Sequence, residues 1–206
     1  MDVFVTLEGP EGAGKSTVAP FLADRLREGG HSVVLTREPG SGAFGNEVRK
    51  LLLAGDDLDP WAELFLFLAD RANHVRTLVR PSQGQGKIVL CDRFADSTVV
   101  YQGHARGLPV ETLRELNLLA TGRLVPDLTL LFDLPPEQGL ARLEAKDRLD
   151  REPLAFHERV REGFLAEARR EPGRWVVLDA SLPLAAVRES AWSALTSRLG
   201  QVPTSC

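Results

Sequence analysis

Short, continuously apolar runs alternate along the chain with longer stretches whose apolar residues recur every three or four positions. Five of the runs read as strands: Val3 to Leu7 (VFVTL), Ser32 to Thr36 (SVVLT), Lys87 to Asp92 (KIVLCD), Leu128 to Leu134 (LTLLFDL) and Arg174 to Asp179 (RWVVLD). The helical pattern follows the glycine-rich loop after the first run and ends at Gly29-Gly30. It returns at Asn46 to Ala54, Trp61 to Arg80, Val110 to Ala120 and from about Leu184 to Leu199. Pro81 is expected to stop the third of these helices, and Pro109 and Gly122 to open and close the fourth. Strands rich in Val, Ile and Leu, separated by helices, predict a parallel sheet covered on both faces. The expected fold is α/β with three layers and a five-stranded parallel sheet, built as one domain over residues 1–206.

Composition agrees with this and narrows the function. With 206 residues, 43% of them hydrophobic and 26% charged, the chain can bury most of its apolar surface without disulfides. Its two cysteines, Cys91 and Cys206, suggest no bridge framework and favour a reducing cytoplasm. No apolar stretch approaches the ~20 residues that span a bilayer, and no secretory signal is visible, so a cytoplasmic protein without membrane contact is expected. A net charge of -4 argues against a non-specific nucleic-acid binder. Lysine supplies only four of the 25 cations. That bias suits phosphate recognition by arginine, and it equally follows from a genome's codon usage.

The first loop carries the chemistry. Gly9-x-x-x-x-Gly14-Lys15-Ser16 follows a strand and opens a helix, the setting in which this pattern holds nucleotide phosphates. Residues Gly9, Pro10, Glu11, Gly12, Ala13, Gly14, Lys15, Ser16 and Thr17 are therefore assigned to ATP. The backbone amides cradle phosphate oxygens, Lys15 bridges the β- and γ-phosphates, and the Ser16 hydroxyl ligates Mg²⁺. A carboxylate at a neighbouring strand end should orient the metal, and Asp92 and Asp133 both qualify. Asp92 is preferred because Arg93 follows it, a cation placed to offset charge developing during transfer.

These features leave the acceptor open. The segments LEGPEGAGKST, TREPGSGAFGNEVRKLLL, FLFLADRANHV, CDRFADSTVVYQG, PDLTLLFDLPPEQGLAR and LDASLP occur in that order. Together they resemble the thymidylate kinases, P-loop nucleoside monophosphate kinases that make dTDP from dTMP and ATP. The resemblance implies a P-loop NTPase fold, a homodimer and an acceptor site. In that site Phe67 stacks on thymine, Arg71 bonds the base, Arg49 and Arg93 hold the dTMP phosphate, and Ser97, Tyr101 and Gln102 line the sugar and base side. Glu38, in TREPG, belongs to the same substrate set. Glu11 would accept a bond from the sugar 3′-hydroxyl. Read from the residues alone, Phe67 is a core position beside Leu64, Phe65 and Leu68, and the reading that competes for Glu11 is a solvent-exposed loop acid.

The charged window Arg142 to Glu162 reads from periodicity as a solvated helix face. The resemblance changes that to a mobile lid at about 142–153. Gly12 stands where one branch of the family carries an arginine. The missing cation is then expected from the lid, with Arg148, Arg151 and Arg142 as candidates and Lys146 where an arginine is common. Ser41 also departs from the usual EPGG. The readings that compete with dTMP phosphorylation are a deoxynucleoside kinase acting on thymidine and, more remotely, an ATP-dependent switch.

Overall fold

The computed structural model describes residues 3–54, 57–145 and 147–200. Lys146 and Cys206, both considered above, lie outside them. The strands β1 (Phe4–Glu8), β2 (Val33–Arg37), β3 (Ile88–Asp92), β4 (Leu128–Asp133) and β5 (Trp175–Asp179) form one sheet. Its order is β2-β3-β1-β4-β5 and every neighbouring pair is parallel. Each strand lies within about one residue of its expected span. The helices are α1 (Lys15–Glu28), α2 (Gly42–Ala54), α3 (Pro60–His74), α4 (Arg80–Gln83), α5 (Ala95–Thr98), α6 (Val110–Thr121), α7 (Pro136–Ala141), α8 (Leu154–Arg170) and α9 (Leu184–Leu199).

Strand alternation divides the core. Val5 and Leu7 of β1, Leu90 of β3 and Leu130 and Phe132 of β4 face α1 and α9, where Val18, Leu22, Val187 and Leu195 cover them. Phe4, Val89 and Cys91 point the other way, onto Val75, Val79 and Phe94. The Phe4 and Phe94 rings meet edge to face, 4.9 Å between centroids at 89°. Leu131 faces the same side and packs with Tyr101, Phe156, Val160 and Phe164. Each such fully buried side chain contributes about 1.5–3 kcal/mol against exposure.

Two local expectations need correction, and one helical region was not expected. The helix from Trp61 does not stop at Pro81: α3 runs through a π-helical segment, Val75–Val79, into α4. The Arg80 N–H bonds the Val75 carbonyl five residues back, so the hydrogen-bond ladder is already displaced where the proline ring falls. The helix predicted from Asn46 begins at Gly42. Finally, residues 95–105 are helical, as α5 and a second π-helical segment, Val99–Ala105. No helical period marks them. Packing against α8 does, because a Cβ on Gly163 would come within 2.9 Å of the His104 side chain.

The charged window splits. From Leu154 onward it is the first part of α8, with Phe156, His157 and Val160 buried. Before that, an arch containing a 3₁₀ turn at Leu149–Arg151 lies against α2, where the Arg148 N–H bonds the Leu53 carbonyl at 3.3 Å. Among the described residues no helix is long and apolar enough to cross a membrane.

Candidate active site

The carboxyl ends of β1, β2 and β3 converge, with Asp92 in register with both Leu7 and Arg37. Above that edge lies a cavity of about 390 Å³, walled by the loop before α1, by α3 and by the arch. This is where ligands bind in open parallel sheets.

The loop from Gly9 to Gly14 forms one wall. Gly12 (φ 66°) lies so close to Gly139 of α7 that a Cβ on Gly12 would collide with the Gly139 carbonyl, and one on Gly139 with the Glu11 carbonyl. Only glycine permits this approach. Gly14, at φ 88°, caps α1 without a side-chain bond. Among the described residues, the backbone N–H groups of Gly12 through Ser16 meet no acceptor. A run of unpaired amides at a helix N-terminus is an anion cradle. Lys15 is buried beneath it and donates to the Gly9 and Pro10 carbonyls at 2.8 and 2.7 Å. Burial, then the charge of Arg93, lowers its pKa to about 8 against the opposing pull of Asp92, Glu11 and Glu8. Ser16 is exposed at the mouth. Asp92 lines the cavity, whereas both Asp133 oxygens are held by Arg161 at 2.7 and 2.8 Å.

Across the cavity stand Arg37, Arg49 and Arg93, with Phe67, Ser97, Tyr101 and Gln102. Arg49 donates one bond, to the Pro39 carbonyl at 2.9 Å. Its pKa is lowered by burial and then by the charges of Arg37 and Arg93, against Asp147 and Asp92. Three guanidinium groups that repel one another across an open space form a site for an anion. Arg71 is a different case. Its Nε donates to Glu38 at 2.8 Å, Nη1 to Thr98 and Asn117 at 2.8 and 2.6 Å, and Nη2 to the Phe94 carbonyl at 3.0 Å. That leaves one N–H on Nη2 for anything in the cavity. Glu38 is likewise engaged, by Arg71 and by His74 Nδ1 at 2.7 Å.

Glu11 is not an exposed loop acid. One oxygen accepts the Tyr101 hydroxyl and Arg93 Nη2, the latter at 3.2 Å. The other lies 3.4 Å from His157 Nδ1. Burial would raise its pKa, but His157, Arg93, Lys15 and Tyr101 together lower it to about 2. The carboxylate therefore stays charged while facing the cavity from the donor loop.

The sequence matches the thymidylate kinase family over residues 7–191. The chain belongs to that family. It is 55% identical over 197 residues to a thymidylate kinase of Desulfosudis oleivorans, covering 90% of this chain and 92% of that one. To a thymidylate kinase of Thermomicrobium roseum it is 52% identical over 200 residues, covering 95% of each. The crystal structure of a thymidylate kinase from Ehrlichia chaffeensis superposes with a TM-score of 0.78 at 35% identity, over 94% of this chain and 98% of that one.

The thymidylate kinase resemblance carried four lid cations, and the structure separates the three that lie among the described residues. Arg148 does not line the cavity: it donates to the buried Glu63 carboxylate and, from Nε, to the Leu52 carbonyl at 3.0 Å. A fully buried carboxylate requires counter-charges, and Glu63 draws in Arg106 and Gln102 as well, at 2.7 Å each. Arg151 is exposed and unpaired among the described residues. Arg142, on the outer side, reaches the Gly12 and Ala180 carbonyls at 3.4 and 3.3 Å. Gly9, Pro10 and Thr17 stand behind or beside the cavity rather than in its lining. The reading of the sequence missed Arg37, Glu8, Glu63 and His157. Arg37 was legible as the cation ending a strand beside Asp92. The other three carry no sequence signal, because their partners are 39 or more residues away.

Proposed function

We propose that this chain transfers the γ-phosphoryl group of Mg·ATP to dTMP, giving dTDP. The observation that carries this reading is the pairing of two anion sites across one cavity. The unpaired amides of Gly12 to Ser16 with Lys15 form the first, and Arg37, Arg49 and Arg93 the second. An anionic acceptor suits the second site better than a neutral sugar hydroxyl, which has no need of three guanidinium groups. Thymidine phosphorylation is therefore not favoured.

In this reading the donor phosphates take the amide cradle, and Lys15 turns from the Gly9 and Pro10 carbonyls to meet them. Magnesium bound here would supply neutralisation of the donor phosphates' charge. Among the described residues no cluster of His, Cys, Asp and Glu is built to hold a metal alone. The Ser16 hydroxyl and the Asp92 carboxylate would help to hold it, as suits a cation held mainly by phosphates. Arg49, Arg93 and Arg37 fix the acceptor phosphate in line. Phe67 offers a stacking face, Gln102 and the remaining Nη2 proton of Arg71 edge contacts, and Tyr101 packs against the sugar's 2′ carbon. Glu11 meets the 3′-hydroxyl. The acceptor oxygen is already anionic, so catalysis consists of positioning and charge stabilisation. The arch at about 142–153 acts as the lid and excludes water. Among the described residues Arg151 is its free cation, Arg148 its anchor, and Arg142 borders the donor side. The exposed Phe65 and Leu119 side chains support a homodimer, testable by sedimentation.

The test is an acceptor panel of dTMP, dUMP, dCMP, dGMP and thymidine with Mg·ATP. Preferential dTDP formation is expected. Faster turnover of thymidine would overturn the assignment.

A further inference from the structure

Arg93 adopts φ 66°, a left-handed conformation found at only one other non-glycine among the described residues. For a residue with a Cβ this costs on the order of 1 kcal/mol, so its surroundings must hold it. The Arg93 N–H bonds the Leu7 carbonyl at 3.0 Å. The next residue is gripped by Glu8, whose Oε1 accepts the Phe94 N–H at 2.8 Å. The other oxygen, Oε2, accepts the Ser97 hydroxyl at 2.6 Å, and Ser97 Oγ in turn accepts Arg93 Nη1 at 3.2 Å. One carboxylate thus holds both the backbone after Arg93 and the serine that, together with the Gly9 carbonyl at 3.1 Å and Glu11 at 3.2 Å, orients its guanidinium.

Glu8 is fully buried at the end of β1. Stability alone does not call for a carboxylate there. Burying one is costly, and a glutamine of the same shape would accept the Phe94 N–H equally well. Only the carboxylate also accepts from Ser97. That directs the serine proton inward and leaves its lone pairs to the arginine.

We propose that Glu8 is a positioning residue for the acceptor phosphate, acting through Ser97 and the Phe94 amide to aim Arg93 into the cavity. This rests on the reading of Arg93 as a ligand of that phosphate. With Glu8→Gln the side-chain amide donates to Ser97 Oγ, occupies a lone pair and loosens the guanidinium while the fold is kept.

The experiment compares Glu8→Gln, Ser97→Ala, the double variant and Arg93→Ala by steady-state kinetics and thermal unfolding. Glu8→Gln is expected to unfold at or above the wild-type temperature at pH 7.5. Its kcat/KM for dTMP should fall about tenfold or more, as for a lost bond to a charged group, with KM for ATP within about twofold. The double variant should be no worse than Glu8→Gln, since both act on one chain of bonds. Wild-type kcat/KM for dTMP in Glu8→Gln, or losses that multiply in the double variant, would overturn the proposal. If Arg93→Ala itself keeps wild-type kcat/KM for dTMP, the reading of Arg93 fails and Glu8 with it. Collapse of Arg93→Ala alongside a normal Glu8→Gln refutes only the role of Glu8.

Discussion

Arg148, in the arch, donates to Glu63, on α3, across 85 residues of chain and inside the protein. Arg148, one of the three arginines considered for delivering charge to the transferred phosphate, is here paired with a buried carboxylate. Gln102 shares the same carboxylate from the acceptor side, so Glu63 joins the arch to the wall of the cavity.

Removing the carboxylate strands the Arg148 guanidinium and takes from Arg106 one of its two carboxylate partners, leaving Glu152. Glu63→Ala should therefore destabilise the fold by about 3–5 kcal/mol, read as a lower urea midpoint. Arg148→Ala should mainly loosen the arch, seen as faster amide exchange at 147–150. Arg151→Ala should lower kcat more than Arg148→Ala does; the reverse order would return the transferring role to Arg148.

Gly12 carries a steric constraint as well as an electrostatic one. Because its Cα lies against the Gly139 backbone, Gly12→Arg should not supply a loop cation. It should raise KM for ATP and lower the melting temperature, and Gly139→Ala should do the same from the other side. A Gly12→Arg variant with normal stability and a higher kcat would contradict this.

Burial, with Asp96 nearby, raises the Glu8 pKa from 4.5 to about 7, against bonds from Ser97 and Phe94 and the charge of Arg93. Between those values the folded chain binds more protons at this site than the unfolded one, so this group's contribution to stability falls as pH rises through the window. Glu8→Gln removes the effect. Its stability relative to wild type should climb from pH 4.5 to 7 and level off above, as measured by urea unfolding at each pH. A pH-independent difference would mean that Glu8 does not titrate in this window.

Glu11 is held charged down to about pH 2 by His157, Arg93, Lys15 and Tyr101. Glu11→Gln should raise KM for dTMP about tenfold while changing KM for ATP little, given the loss of a charged hydrogen bond to the acceptor. Tyr101→Ala should narrow the preference for dTMP over UMP. An unchanged ratio would remove the ring from any role in sugar selection.

The strands, the loop after β1 and the fold class were readable in the sequence because each rests on local rules. Apolar runs mark buried parallel strands, and glycine, lysine and serine at fixed spacing mark a phosphate loop. Phe67, Arg49 and Tyr101 entered through family resemblance alone, since a helical stripe does not distinguish a stacking ring from a core ring. Tertiary structure decided what depends on distant partners. It turned Arg148 inward to a buried Glu63, set Gly12 against Gly139, placed Glu8 behind Arg93 and brought His157 beside Glu11. Burial determines which charge needs which partner, and burial is not written in any short stretch of the chain.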